Sequence, residues 1–260
     1  MRFRLSTLMA LAALAMTGVM LYLAIFEPQV LTEYAAFLSF ILLLFVVGII
    51  FARFEESELS SKEVALIGIL GAIIAASRIP FAALPNIQPC TFLIIITGLV
   101  FGSLAGAMAG ATTAAVSNLF FGQGPWTAWM MVAWGMVGIV SGMVGKRLKD
   151  EVTVTHVVLL GVVLGLAYNT LMDFSSWLTF YRASPNLFLP TFIAGVPYGI
   201  LHVTGNVIFA VILGKPVLTL FNRFRRRTRV RYVLEDDGGD APSPLSSEAC
   251  PVSTAGNRTK

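Results

Sequence analysis

The chain has 260 residues, of which 57% are hydrophobic and 12% are charged, and its formal net charge is +4. About 25% of the residues in an ordinary soluble domain are charged, and the mean hydropathy of this chain is +0.81. This composition excludes a water-soluble globular fold and predicts an all-α polytopic membrane protein.

Apolar runs separated by short polar breaks follow one another along the chain: Leu5–Phe26, Leu31–Ala52, Val64–Ala76, Thr91–Phe121, Thr127–Val144, Val152–Phe180 and Thr191–Leu213. As one helix, Thr91–Phe121 would be roughly 45 Å long, whereas the hydrocarbon core is roughly 30 Å thick. A break near Gly102 would give two short helices, Thr91–Phe101 and Leu104–Phe120. The sequence then predicts eight membrane helices.

Positive charges favour two crossings by this run, because cytoplasmic loops carry an excess of Lys and Arg. Two crossings leave only Arg78 and Arg182 outside. The basic groups on the opposite side are Arg2, Arg4, Arg53, Lys62, Lys146, Arg147, Lys149 and the arginine-rich tail. We therefore expect both termini in the cytoplasm.

The run Leu5–Phe26 is longer than the apolar region of a signal peptide, so we interpret it as a retained helix.

The motifs of several enzyme classes are missing from the sequence. It contains no CxxC, HExxH, Walker A or GxGxxG pattern and has two histidines. ATP hydrolysis, metal catalysis and a bound cofactor are therefore not expected in this chain, nor is a nucleic-acid partner.

The predicted topology separates Cys90 from Cys250, so no disulfide is expected. The polar segment Glu235–Lys260 is expected to be a disordered tail.

Small residues recur at intervals of four in the third predicted helix. Gly68, Ala72 and Ala76 form one stripe, and Gly71 and Ala75 lie beside it. Such stripes let helix backbones approach closely in lipid. Two interpretations remain open, namely packing inside the monomer and docking onto a separate membrane subunit.

Two loops predicted on the outer side carry polar amides. The loop Arg78–Thr91 contains three prolines, which stiffen it, together with Asn86 and Gln88. It is either the lid or wall of a binding site or a plain re-entrant connection. The next outer loop carries Gln123 beside Trp126. Its aromatic residues fit either an interfacial belt or a ligand site.

The sixth long apolar run, Val152–Phe180, carries polar groups on one helical face. Asn169, Asp173 and Trp177 are four residues apart. Asp173 is the only acid well inside an apolar run, and membrane-embedded ionisable residues often serve function. It either contacts a ligand or pairs with Arg78, predicted at similar depth. His202 and Asn206 are also four residues apart, behind an expected kink at Pro197, and His202 is interpreted as a buried, hydrogen-bonded histidine.

One stretch resembles a known family. ALPNIQPCTFLIIITGLVFGSLAGAMAGATTAAVSNLFFGQGPWTAWMMVAWGMVGIVSG is similar to the substrate-binding S components of energy-coupling factor (ECF) vitamin transporters. The combination of PNIQP and GQGPWT resembles most closely the branch for cobalamin or its precursors. The resemblance implies a six-helix core at residues 62–222, with an added pair of membrane helices at 1–61 and a basic, then disordered, cytoplasmic tail at 223–260.

The resemblance also implies a function and partners. S components of prokaryotic plasma membranes capture a vitamin at the outer face and dock onto a membrane coupling protein that carries two ATPase subunits. The family docks through an AxxxA motif, which matches Ala72 and Ala76, extended here by Gly68. The implied substrate-binding residues are Asn86, Gln88, Gln123, Trp126, Asn169, Asp173 and Trp177. The alternatives are a self-sufficient secondary carrier and a polytopic membrane enzyme.

Overall fold

A computed structural model describes residues 4–57, 61–149, 151–181 and 183–236, and within these ranges the secondary structure is helical, with no strand. The helices are α1 (Leu5–Phe26), α2 (Pro28–Glu55), α3 (Ser61–Ser77), α4 (Cys90–Phe101), α5 (Ser103–Phe121), α6 (Trp126–Leu148), α7 (Val154–Phe180) and α8 (Pro185–Asp236), with a short 3-10 helix at Ile79–Phe81. Arg2, Arg182 and the tail beyond residue 236, including Cys250, lie outside the described residues.

Six of the described helices, namely α2, α3, α5, α6, α7 and α8, are long and apolar enough to cross a membrane. Shorter apolar helical stretches occur at Leu5–Met20 in α1 and at Cys90–Phe101, which is α4. The prediction of an all-α polytopic membrane protein is confirmed. The last helix differs from expectation, because α8 begins before Thr191, continues beyond Leu213 and runs without interruption through Pro197.

The long apolar run is divided at the expected glycine. Helix α4 ends at Phe101 and α5 begins at Ser103, and the Gly102 between them has a φ of 95°. This left-handed conformation suits glycine, which has no Cβ to clash. The break turns one over-long helix into two short helices that pack against each other and against α6.

Glycine also explains how closely α6 approaches this pair of helices. A Cβ atom added at Gly106 would lie 2.7 Å from the carbonyl oxygen of Gly138. A Cβ atom added at Gly142 would overlap the backbone at Ser103. The backbones of α5 and α6 are therefore in direct contact, which is the packing that small residues allow in a membrane.

We expect Gly138→Ala to destabilise the protein, because its methyl group would overlap the backbone of Gly106. Overpacking of this kind costs about 1–3 kcal/mol, so the thermal transition of the purified protein should fall by several degrees. Gly68→Ala is the matched control, since a Cβ at Gly68 meets no described atom within 4 Å. Equal melting temperatures for the two variants would contradict the close contact of α5 with α6.

Three connections meet at one end of the bundle, which we call the loop end: residues 79–89 between α3 and α4, residues 122–125 between α5 and α6, and the α7–α8 connection. Arg78 contacts Asn118 at the end of α5, and the Trp126 ring lies 6.3 Å from that of Phe180. At the opposite end, Arg225 of α8 donates to the carbonyl of Val100 at 3.4 Å. This alternation agrees with the two crossings expected on either side of Gly102.

The N-terminal pair packs on the remaining helices mainly through α2. Leu43 of α2 lies in a cluster with Val132 of α6 and Leu178 of α7. Phe54, further along α2, packs against a second cluster, formed by Ile67, Ala105 and Met108. Helix α1 packs on α2. Helix α2 thus runs along the α5–α6–α7 side of the bundle.

Candidate functional site

The loop 79–89 folds onto α7 and α8. Asn86 has a φ of 59°, a conformation in which asparagine is enriched among non-glycine residues. Its Nδ2 donates to Oδ1 of Asn169 at 2.8 Å and to the carbonyl oxygen of Tyr198 at 2.9 Å. Asn86 and Asn169, two residues of the predicted set, are therefore in direct contact, and the loop forms a wall over this part of the bundle.

A chain of hydrogen bonds lies beneath this wall. Trp134 Nε1 donates to Thr91 Oγ1 at 3.0 Å, and Thr91 Oγ1 lies 3.0 Å from His202 Nε2. His202 Nδ1 lies 3.2 Å from the backbone oxygen of Asn86. With its proton on Nδ1, a neutral imidazole satisfies every contact in the chain. This geometry agrees with the interpretation of His202 as a buried, hydrogen-bonded histidine.

Three aromatic rings from three helices are stacked at the same place. The ring centroids of Trp134 and Tyr168 are 5.3 Å apart with an interplanar angle of 17°. Those of Tyr168 and His202 are 5.1 Å apart at 15°. Parallel, offset rings attract each other by about 0.5–1.5 kcal/mol per pair beyond their burial. We call Trp134, Tyr168 and His202 the ring stack.

The contact between α7 and α8 pairs small residues with polar ones. Gly199 lies against Asn169, where an added Cβ would be 3.8 Å from the asparagine Cβ. Gly165 lies against Asn206, whose Nδ2 would be 2.8 Å from an added Cβ. These glycines make room for amide side chains between two closely packed helices, which is how Asn169 comes within reach of the loop.

Asp173 lies one turn from Asn169, against the backbone of Gly195, where an added Cβ would overlap the carboxylate. Arg78 instead donates to Gln88 and to two residues of α5. No ion pair joins Arg78 to Asp173 within the part of the chain that the structure describes. Similar predicted depth in the membrane did not indicate a contact between Arg78 and Asp173, because the two side chains contact different parts of the bundle. The structure thus gives no support to the pairing alternative.

We therefore expect Asp173→Asn to be expressed and to melt like the parent protein, because it breaks no described ion pair. Ligand binding should weaken if the carboxylate contacts the ligand. The measurements are the melting temperature and a ligand titration on the same preparation. A loss of stability together with a loss of binding would show that the charge of Asp173 is structural.

The other predicted site residues do not join Asn86 and Asn169 in one cluster. Gln123 lies in an exposed turn, where it donates to Ala115 O at 2.9 Å and accepts from Thr127 Oγ1 at 2.8 Å. Trp126 neighbours Phe180, whereas Trp177 donates to Ser184 O at 2.7 Å. Sequence reasoning did not include Thr91, Trp134, Tyr168 or His202 among the candidate binding residues. Thr91 directly follows PNIQPC and Tyr168 directly precedes Asn169, whereas no such signal marked Trp134 or His202 as a binding residue.

The small-residue stripe on α3 lies on the surface of the bundle. Gly68, Ala72 and Ala76 are exposed, whereas Gly71 and Ala75 are buried. A Cβ added at Gly71 would lie 2.9 Å from Thr112 Cγ2 of α5. Monomer packing therefore uses the neighbouring stripe, and the exposed stripe lies on the bundle surface, where a Cβ added at Gly68 would meet no described atom within 4 Å.

Comparison with known proteins bears on this arrangement. Residues 58–219, well over half of the chain, match the sequence model of the family described as ECF-type riboflavin transporter, S component. The chain belongs to this family. The matched range covers the helices that build the loop end, the ring stack and the exposed stripe, while most of the N-terminal pair lies outside it.

Two curated relatives resemble parts of this S component. A UPF0397 protein of Vibrio atlanticus (strain LGP32) is 28% identical over 119 residues, which is 42% of this chain and 65% of that protein. A UPF0397 protein of Clostridium perfringens (strain ATCC 13124) is 28% identical over 101 residues, 36% of this chain and 54% of that protein. The chain thus spans about half to two thirds of the length of these relatives. No solved structure matches it.

Membership has consequences for the class of function. The chain belongs to a family described as the S component of a transporter, and six of its described helices are long and apolar enough to cross a membrane. This class differs from both alternatives, the self-sufficient carrier and the membrane enzyme.

Within the described residues, no group of three or more His, Cys, Asp or Glu side chains could hold a metal ion.

Proposed function

We propose that this S component captures a vitamin or vitamin precursor beneath the loop 79–89 and delivers it to a transporter driven by partner ATPases. The observation that supports this most is the combination of a ring stack with a loop held above it by the Asn86–Asn169 hydrogen bond. Ligand sites are typically apolar and aromatic surfaces with a few placed polar groups. The loop end has this character.

We propose first a chemical class of substrate and then two specific compounds to test. A site of amides and parallel rings suits a ligand built on a large, mostly uncharged ring system. The sequence resemblance favours cobalamin or a precursor, and the description of the matching family adds riboflavin. Both compounds contain extended conjugated rings, so both belong in the first titration.

The exposed stripe on α3 supports a docking role. Gly68, Ala72 and Ala76 leave the helix backbone accessible from the bundle surface. A helix of the membrane coupling protein could approach this surface closely, with packing rather than hydrophobicity driving the association in lipid. We propose that energy from ATP reaches the S component through this contact.

We further propose that the loop end faces outward and both termini lie in the cytoplasm. Single cysteines at positions 124 and 148 test the orientation with a membrane-impermeant thiol reagent applied to intact cells, in a chain whose own Cys90 and Cys250 are replaced by serine. Position 124 should react and position 148 should not. The reverse pattern would mean that the loop end faces the cytoplasm.

The function is tested by identifying what co-purifies with the detergent-solubilised protein by mass spectrometry. We expect a vitamin-class small molecule, together with a membrane coupling protein and two ATPase subunits when these are expressed in the same cells. Uptake of the identified compound by cells should then require this chain and the ATPases. Uptake that continues without the ATPases would contradict the proposal.

A further inference from the structure

The loop end holds a positive charge in a fixed position. Arg78 Nε donates to Gln88 Oε1 at 2.7 Å, and its Nη1 donates to Ser117 Oγ at 3.0 Å and to Asn118 Oδ1 at 2.9 Å. Its Cζ lies 4.4 Å from the centroid of the Phe121 ring. The guanidinium is therefore held by the loop, by α5 and by an aromatic face.

This charge lies close to the ring stack. Arg78 Cζ is 5.8 Å from the centroid of the Trp134 ring, which is the α6 member of the stack. A ligand whose ring system lay along these rings would bring its substituents within reach of the guanidinium. Arg78 is thus placed beside the proposed ligand surface and is not remote from it.

Hydrogen-bond donors remain available at this position. Among the described residues, no hydrogen bond engages Nη2 of Arg78 or Nε2 of Gln88, and no acidic group forms an ion pair with Arg78. All three acceptors that hold the guanidinium are neutral. A half-buried cation surrounded by neutral acceptors and aromatic rings gains most from an anionic partner, since charge-assisted hydrogen bonds are about twice as strong as neutral ones.

We propose that Arg78, assisted by Gln88, binds an oxyanion, a carboxylate or a phosphate, carried by the substrate. The inference rests on the proposed function and narrows its substrate class to mostly uncharged ring compounds that bear one acidic group. The planar fork of arginine matches the geometry of such groups, which an ammonium cannot match in the same way. Arg78 would then be a specificity-determining residue of the site.

The test uses pairs of compounds that differ in a phosphate: riboflavin and its phosphate ester, and cobinamide and cobinamide phosphate. Each is titrated against the purified full chain by calorimetry. The wild-type protein should bind the phosphate-bearing member of a pair more tightly, on the order of tenfold to hundredfold, as expected for a hydrogen bond to a charged group. Arg78→Gln should remove this preference, so that the two members of a pair bind with similar affinity.

Two further variants make the result specific. Lys215→Gln removes one exposed positive charge at the opposite end of α8 and should leave the preference intact. Arg78→Lys keeps the positive charge but lacks the planar guanidinium group. This variant should retain only part of the preference for the phosphate-bearing member. If Arg78→Gln does not fold, as judged by its melting temperature, the comparison of Arg78→Lys with Lys215→Gln decides.

Three outcomes would overturn the inference. Equal affinity of the wild-type protein for both members of a pair would leave the proposed vitamin-binding function standing and remove the role of Arg78. A preference that survives in Arg78→Gln, or a preference of wild-type size in Arg78→Lys when only that variant folds, would have the same effect. Binding of no member of either pair, together with no co-purifying vitamin-class molecule, would overturn both the inference and the proposed function.

Discussion

The substitutions Ala72→Trp and Ala76→Trp are each expected to reduce uptake strongly while the isolated protein still binds its ligand. Both alanines are exposed on α3, so the bulky side chain would not disturb the packing of the monomer. It would instead separate α3 from a docked helix. If overpacking costs about 1–3 kcal/mol, association with the coupling protein should weaken by roughly tenfold to hundredfold. Uptake by cells and a titration of the purified variant are the two measurements.

Matched variants separate docking from stability. Ala194→Trp introduces the same side chain at an exposed position of α8, and it should leave both uptake and binding unchanged. Ala75→Trp enlarges a side chain that is 3% exposed on the inner face of α3, and it should prevent folding. A joint loss of uptake and binding in Ala72→Trp would mean that the stripe supports the monomer, contrary to the docking proposal.

Asn86→Ala is expected to reduce ligand affinity on the order of tenfold to hundredfold. The substitution removes the hydrogen bonds to Asn169 and to the carbonyl of Tyr198. It also places alanine at a φ of 59°, a left-handed conformation that asparagine adopts more readily than alanine because its short polar side chain can hydrogen-bond locally. The loop would lose its attachment to α7 and α8, so the wall of the site would no longer be formed in advance.

Two related variants divide this effect into its parts. Asn86→Gly keeps the backbone conformation accessible but removes the amide, whereas Asn86→Asp keeps the shape and loses the donor. Both should bind weakly if the amide is what matters. Gln123→Ala is the control, because that amide bonds within its own turn and to α5. Full affinity in both Asn86→Gly and Asn86→Asp would exclude a role for the Asn86 amide.

Much of the fold was predictable because it depends on patterns along the chain. Apolar length predicted the helices, and the distribution of Lys and Arg predicted the double crossing. Gly102 was identifiable as the break because the run was too long for one helix and glycine accepts the required φ. The length of α8 was not predictable in this way, because Pro185–Asp236 extends at both ends beyond the apolar run Thr191–Leu213 from which the helix was predicted.

The candidate site was only partly predictable because it depends on which faces of separate helices meet. Asn86 and Asn169 were both among the seven residues predicted at the outer end, but the sequence did not indicate that these two would form a hydrogen bond. The ring stack was missed, because Trp134, Tyr168 and His202 come from three helices and no periodicity relates them. The choice between the two alternatives for Asp173, ligand contact and pairing with Arg78, could not be made from the sequence for the same reason. The depth of a residue in the membrane follows from the sequence, but the side of the bundle to which its helix turns that residue does not.

The attachment of the loop 79–89 to α7 and α8 has a consequence for the rates at which a ligand binds and leaves. The amide of Asn86 is bonded to α7 and α8, and its carbonyl lies at the end of the hydrogen-bond chain from Trp134. If the ligand binds beneath this loop, as proposed, it would reach the rings only after these contacts separate, and the contacts would re-form behind it. Association should therefore be slower than the diffusion limit of about 10⁹ M⁻¹s⁻¹, and the lifetime of the bound state should lengthen in proportion. A subunit of this kind would hold a scarce molecule long enough for a partner to arrive.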